Sequence, residues 1–164
     1  MNKPSINKLS ELKKTDYKPE SVKKELARNL ENKLKSGNPT FEFIHGYENT
    51  VIPDLERAIL SGHNINLLGL RGQAKTKLAR QLIFLLDEWV PIIKGSEINE
   101  DPLNPISYEG KQIISEKGDD TPIDWIHRSE RFFEKLATPD VTVSDLIGDI
   151  DPIKAANLKL SYSD

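Results

Sequence analysis

The residues with the clearest chemical signature are eight consecutive positions, Gly69, Leu70, Arg71, Gly72, Gln73, Ala74, Lys75 and Thr76. Their spacing is that of a Walker A loop, with Ala74 in place of the second glycine. In such a loop main-chain N–H groups surround a polyphosphate, the lysine contacts the β- and γ-phosphates, and the threonine hydroxyl is one Mg²⁺ ligand. The pattern therefore predicts binding of a nucleoside triphosphate, ATP, together with Mg²⁺.

Three positions in this loop carry specific conformational expectations. Gly69 lets the backbone turn without a Cβ clash. The amides from about Gly72 to Thr76 are expected to point inward as an anion-binding nest, helped by the positive end of the following helix. Ala74 fits this arrangement if its φ is negative, because a methyl group then adds little bulk. The competing interpretation is a glycine-rich turn that binds nothing.

A strand before the loop and a helix after it would position these residues. Asn64–Leu68 is short and apolar enough to predict a central strand. A helix is predicted from Lys75 to Trp89, because its apolar residues cover one broad face: Leu78, Leu82, Ile83, Leu85, Leu86 and Trp89. The order strand, loop, helix favours a phosphate site over a chance match to the motif.

Two further helices are predicted upstream of the loop. Ser21 can cap a helix whose apolar residues recur every four positions and which ends at Ser36–Pro39. A second helix is predicted from Thr50 to Ser61, with Gly62 as its stop. Residues 1–20 are polar and are predicted to be poorly ordered.

Downstream of the loop the periodicity is interrupted. Prolines and glycines between 90 and 120 predict a long loop or insertion, with a short hairpin around Gln112–Ile114. Thr121-Pro122 predicts the start of a helix, since Thr is a good N-cap and Pro suits the first helical position. Its apolar residues would be Trp125, Ile126, Phe132, Phe133 and Leu136. The segment Ile153–Leu160 follows without a clear end.

Composition and charge limit the classes of protein. The 164 residues are 37% hydrophobic and 30% charged, typical of one globular domain, and the absence of Cys excludes disulfides and thiolate metal sites. No apolar run suits a membrane span or a secretory signal. Residues 1–40 carry ten Lys/Arg and five Asp/Glu, whereas 41–164 carry thirteen and twenty-one. The division predicted is a basic helical arm over 1–40 and a nucleotide-binding region over 41–164.

Several segments resemble the MoxR branch of the AAA+ ATPases, whose phosphate loop commonly ends Gly-x-Ala-Lys-Thr. Upstream, Ile44-His45-Gly46-Tyr47 resembles that group's Ile-x-Gly-Gln box, with Tyr47 at the usual Gln. Downstream, this chain resembles the TPDxxPSDxxG segment of that group at Thr138-Pro139-Asp140, Ser144-Asp145 and Gly148. Val143 stands where that segment has Pro. The related magnesium-chelatase ATPase subunit is similar at Gly148-Asp149-Ile150-Asp151.

The resemblance implies a P-loop NTPase fold, a three-layer α/β/α sandwich that is incomplete in this chain. By position, Gly69–Thr76 would hold phosphates and Mg²⁺, with Thr76 as the metal ligand. Backbone near Ile44, His45, Gly46 and Tyr47 would flank the adenine, and Tyr47 would replace the usual Gln contact. His45 is interpreted as an exposed box residue, not a base.

The resemblance also implies a cytoplasmic ATPase that forms a homo-hexameric ring and acts with a von Willebrand A domain protein, in protein remodelling or metal insertion. Its Walker B strand, sensor, arginine finger and helical lid match no segment here, so no catalytic residue is assigned. We expect the chain to be the front part of a motor domain that alone hydrolyses ATP negligibly. The alternatives are a nucleotide-binding regulatory module without turnover, or a small P-loop kinase or GTPase. The absence of Asn-Lys-x-Asp disfavours the GTPase.

Other constellations carry weaker signals. The acidic run Glu97–Asp101 lacks the glycine and ligand spacing of a calcium loop and is predicted to be a solvated insertion. His63 and His127 have no spacing suited to zinc. Trp125, Phe132 and Phe133 lie at helical spacing and are therefore predicted to be core residues.

Overall fold

The computed structural model describes residues 3–149, 152, 153 and 156. Its helices and strands are α1 (Leu9–Leu12), α2 (Val22–Lys35), α3 (Val51–Leu60), α4 (Lys75–Gln81), β1 (Trp89–Ile93), α5 (Tyr108–Lys117), β2 (Ile123–His127) and α6 (Ser144–Ile147). Single 3-10 turns span Leu82–Leu85, Gly118–Asp120 and Arg128–Glu130. The chain forms two compact units, one ending at Arg131 and the other beginning at Phe132.

Helices α2 and α3 form where local signals predict them. The Ser21 side chain accepts a hydrogen bond from the Lys24 amide at 3.4 Å, which satisfies one of the free N–H groups of the first turn of α2. Helix α3 ends before Gly62, whose φ of +67° is the left-handed conformation typical of a residue that terminates a helix. Both predicted helices are confirmed.

The first hydrophobic core joins α2, α3 and α4. Its buried members are Leu30, Phe41, Ile44, Leu55, Ile59, Leu78 and Leu85. Because Leu30 comes from α2 and Leu55 and Ile59 from α3, helix α2 belongs to the same unit as the phosphate loop. The structure thus groups the basic arm with residues 41–131.

The only sheet among the described residues is an antiparallel pair of β1 and β2, in which Trp89 lies opposite His127 and Ile93 opposite Ile123. The predicted loop over 90–120 is wrong, because it contains most of β1 and, in α5, a helix where a hairpin was expected at Gln112–Ile114. The predicted helix from Thr121 is also wrong. Thr121 is fully buried and its hydroxyl donates to the Gly118 carbonyl, so it cannot cap a helix.

A second core packs against strand β2. Leu9 and Leu12 of α1 are buried with Ile123 of β2. The Leu9 amide donates to the Thr121 carbonyl at 3.0 Å, and the Ile123 amide donates to the Asn7 carbonyl at 2.9 Å. The prediction that residues 1–20 are poorly ordered is therefore wrong for α1 and its neighbours, which pack against β2.

The segment before the phosphate loop is not a strand. Residues 63–70 have no regular secondary structure, and Leu68 is 85% exposed. Since a strand requires a partner, and β1 and β2 pair with one another, the predicted strand Asn64–Leu68 does not form among the described residues. The helix predicted to Trp89 ends at Gln81, followed by one 3-10 turn, because Trp89 pairs in the sheet.

The second unit contains only α6 among the named elements. Phe133, Leu136 and Ile147 are exposed, so the prediction of an aromatic core is wrong for Phe133. Trp125 instead packs in the first unit against the second core. Of the predicted segment Ile153–Leu160, all but Ile153 and Ala156 lie outside the described residues.

The described residues contain short helices and one two-stranded antiparallel sheet. The three-layer α/β/α sandwich therefore stays a prediction.

Candidate phosphate-binding site

The loop from Gly69 to Thr76 closes on the side chain of Lys75. The Lys75 Nζ donates to the carbonyl oxygens of Gly69 at 2.8 Å and Leu70 at 2.5 Å. At the same turn the Leu70 amide donates to the Gln73 Oε1 at 2.8 Å. An ammonium group therefore lies at the first two residues of the loop and joins its two ends.

Backbone conformation in the loop depends on small residues. A Cβ on Gly69 would lie 2.3 Å from the Gln73 Oε1, so a larger residue would displace the hydrogen bond from Leu70. Ala74 has φ +53° and ψ 14°, which is the left-handed region. The expectation of a negative φ is wrong, because Ala74 occupies the backbone conformation that glycine adopts most readily, at a cost of about 1 kcal/mol for an L-residue.

The loop is exposed but anchored at its end. Ala74 and Leu78 pack on the first core, whereas Leu70, Arg71, Gly72, Gln73 and Thr76 are exposed. Within the described chain, the amides of Ala74, Lys75 and Thr76 have no hydrogen-bond acceptor. N–H groups without an acceptor and an ammonium in one loop can donate hydrogen bonds to phosphate oxygens.

The box at Ile44–Tyr47 shares the core of the phosphate loop. Ile44 is buried in the first core, and Tyr47 packs against the same core as Ala74. Gly46 has φ +84°, and the exposed His45 lies 3.9 Å from Glu48. The structure thus places the two segments on one core and leaves His45 at the surface, as predicted for a box residue.

Thr76 is the one protein group of this loop that the sequence predicts as a Mg²⁺ ligand. Thr76 is exposed at the second residue of α4. No group of three or more His, Cys, Asp or Glu side chains suited to a metal occurs among the residues described. A magnesium ion here would take phosphate oxygens and waters beside the Thr76 hydroxyl, which is how Mg²⁺ usually binds with nucleotides.

The acidic run does not form a solvated insertion at Glu100. Its carboxylate is 5% exposed and accepts four hydrogen bonds, at Oε1 from the hydroxyls of Ser96 and Ser107 and at Oε2 from the amides of Ile106 and Ser107. Burial alone would raise the pKa of Glu100, but these bonds outweigh it and lower the pKa from 4.5 to about 2. The prediction is wrong for this residue, which organises the loop before α5.

A buried ion pair was missed from the sequence. The Glu25 carboxylate is 3% exposed and accepts from both terminal nitrogens of Arg131 at 2.6 Å. It also accepts from the Asp87 amide at 2.7 Å. No sequence signal separates Glu25 from the other charged residues of α2, because its partner lies more than one hundred positions away.

The two histidines whose spacing does not suit zinc make other contacts or lie at the surface. The His127 Nδ1 lies 2.7 Å from the Ser129 Oγ and its ring contacts Trp89, while His63 is exposed. Of the four residues that resemble the magnesium-chelatase subunit, Ile150 and Asp151 lie outside the described residues.

Comparison of the chain with protein-family models, with curated proteins and with solved structures finds no match. Within the described residues, no helix is both long and apolar enough to cross a membrane.

Proposed function

We propose that this chain binds ATP with Mg²⁺ through the loop Gly69–Thr76, as the front part of a motor domain of the MoxR and magnesium-chelatase type. The supporting observation is the position of the Lys75 ammonium, 2.8 Å from the Gly69 carbonyl in a loop with the Walker A spacing. A lysine held by main-chain carbonyls alone has no carboxylate to displace, so its charge is available to an anion.

The residues of the loop have distinct tasks in this proposal. Lys75 neutralises the β- and γ-phosphates, and the amides of Ala74 and Thr76 donate to phosphate oxygens. Thr76 contributes one ligand to Mg²⁺. A Mg²⁺ ion bound there would offset the negative charge of the phosphate oxygens. Ile44–Tyr47 contacts the base, since it packs on the same core as the loop.

A binding titration with two lysine variants tests the proposal. Lys75→Ala removes the ammonium from the loop, whereas Lys77→Ala removes an exposed lysine two residues along the same helix. Losing a charge-assisted hydrogen bond costs about 1.5–3 kcal/mol, so Lys75→Ala should weaken binding of fluorescent Mg-ATP about 10- to 100-fold. Lys77→Ala should bind like the wild type. Equal affinities of wild type and Lys75→Ala would refute the phosphate-loop assignment.

The activity of the longer assembly is proposed on the resemblance alone. The proposal includes a cytoplasmic homo-hexamer that hydrolyses ATP and acts on a partner carrying a von Willebrand A domain, to remodel it or to assist metal insertion. The chain itself should bind ATP without appreciable turnover. A turnover typical of ATPases that Lys75→Ala abolishes would contradict this last point.

A further inference from the structure

A cleft of about 900 Å³ lies in the first unit, away from the phosphate loop. Its walls come from the segment before α2, from α2 itself, from β1 and from the loop around Glu100. None of the residues from Gly69 to Thr76 lines it. Its volume lies within the range of about 300–1,000 Å³ that is usual for small-molecule sites.

The lining combines exposed apolar side chains with an acidic rim. Val22, Ile98 and Ile106 are among the large hydrophobic residues that solvent reaches, and all three face this one cleft. Seven acidic and three basic residues line it, which gives a net charge of -4. Exposed apolar surface gathered in one concavity is unusual on a monomer and indicates a ligand or partner.

Five of the ten charged residues at the cleft form ion pairs with one another. Arg28 contacts both Glu20 and Asp87 at 2.6 Å. The pair of Glu25 and Arg131 is buried, and hydrogen bonding to Glu25 raises the pKa of the Arg131 guanidinium.

Two exposed carboxylates at the cleft do not take part in these ion pairs. Asp16 and Glu130 are exposed and have no ionic partner within the described chain. Lys18 is unpaired as well, so it offsets one of the two negative charges. An incoming cation therefore meets an unneutralised carboxylate and a net negative field.

We infer that this cleft binds an organic ammonium carried on an apolar body. The alkyl or aryl part would cover Val22, Ile98 and Ile106, and the ammonium would contact Asp16 or Glu130. A purely apolar ligand would leave the carboxylates unused, and an anionic ligand would be repelled by them.

Four probes separate charge from apolar contact: phenylbutylammonium, phenylbutanol, phenylbutyrate and butylammonium. Each is titrated into ¹⁵N-labelled full chain, and amide shifts are followed by NMR. We expect phenylbutylammonium to bind about fivefold more tightly than phenylbutanol and butylammonium, and phenylbutyrate to be weakest. The shifts should concentrate at residues that line the cleft. Equal affinity for the ammonium and the alcohol, or shifts elsewhere, would overturn the inference.

Variants at exposed positions test the two contacts without threatening the fold. Asp16→Asn with Glu130→Gln should weaken phenylbutylammonium about fivefold and leave phenylbutanol unchanged. Ile106→Ser, at a residue that is 72% exposed, should weaken both probes about threefold. Glu116→Gln, an exposed acid outside the cleft, is the matched control and should change neither. An unchanged ammonium affinity in the double variant would overturn the proposed charge contact.

Discussion

The buried carboxylate of Glu100 provides a sharp test of the fold around the cleft. Its pKa is lowered from 4.5 to about 2 by four hydrogen bonds from the Ser96, Ile106 and Ser107 groups. At about 1.4 kcal/mol per unit, this difference corresponds to about 3 kcal/mol of stability for the ionised form. We therefore expect Glu100→Gln, which keeps the size but removes the charge, to lower the free energy of unfolding at pH 7 by about 2–3 kcal/mol.

The sign of the pH dependence follows from the lowered pKa of Glu100. A carboxyl group whose folded pKa lies below its unfolded value stabilises fully above pH 4.5, and this stabilisation is lost as pH falls towards the folded pKa of about 2. The difference between wild type and Glu100→Gln should therefore shrink by about half between pH 7 and pH 3.

Urea unfolding measures this difference, with the fluorescence of Trp89 and Trp125 on the paired strands as the signal. Glu116→Gln serves as control, because Glu116 is exposed on α5 and lies outside the Glu100 cluster. Equal stability of the two variants at pH 7, or a difference that does not change with pH, would refute the reasoning.

Three further changes test other parts of the structure by urea unfolding. Gly110→Ala places a Cβ 2.1 Å from the Glu100 carboxylate, so it should destabilise wild type but stabilise Glu100→Ala by about 0.5–1 kcal/mol; destabilisation of both would contradict the contact. Ala74→Gly relieves the left-handed backbone strain but loses a methyl contact, so the free energy of unfolding should change by less than about 1 kcal/mol. Mg-ATP affinity should change by less than about threefold, and a loss of affinity of about tenfold would contradict the left-handed conformation of Ala74. Glu25→Ala leaves the Arg131 side chain, which is only 16% exposed, without its carboxylate partner and should cost about 3–5 kcal/mol. A change below about 1 kcal/mol would contradict a structural role for the pair.

Features that depend on neighbouring residues could be predicted from the sequence. The ends of α2 and α3 follow from Ser21 and Gly62, which act on the adjacent turns. The spacing of the phosphate loop is equally local, and the structure does bring Lys75 to Gly69. The conformation of Ala74 could not be read in this way, because alanine is compatible with several backbone regions until its neighbours are placed.

Features that depend on distant pairing were missed. Thr121-Pro122 looks like a helix start, but Ile123 pairs with Ile93, thirty positions away, and this pairing decides the conformation. Trp89 continues the apolar pattern of α4, but it lies in β1 and pairs with His127 of β2. Period-based reasoning cannot distinguish such a residue from a helical one, because both are apolar and both are partly buried.

Burial of charge was also unpredictable. Glu100 lies in an acidic run that resembles solvated sequence, and its donors converge only after the chain turns towards α5. Glu25 and Arg131 meet across the first unit. Neither the Glu100 hydrogen bonds nor the Glu25–Arg131 pair can be predicted from the spacing of residues in the sequence.

In the proposed function, the main-chain N–H groups and the ammonium of the loop Gly69–Thr76 bind a triphosphate. The most direct measurement is the change in amide chemical shifts of ¹⁵N-labelled chain when a non-hydrolysable ATP analogue and Mg²⁺ are added. We expect the largest shifts to fall on residues 69–76, and Lys75→Ala, but not Lys77→Ala, to need a nucleotide concentration about 10- to 100-fold higher to produce them. Unshifted loop amides at saturating nucleotide, or the same titration midpoint for Lys75→Ala as for the wild type, would contradict triphosphate binding by this loop.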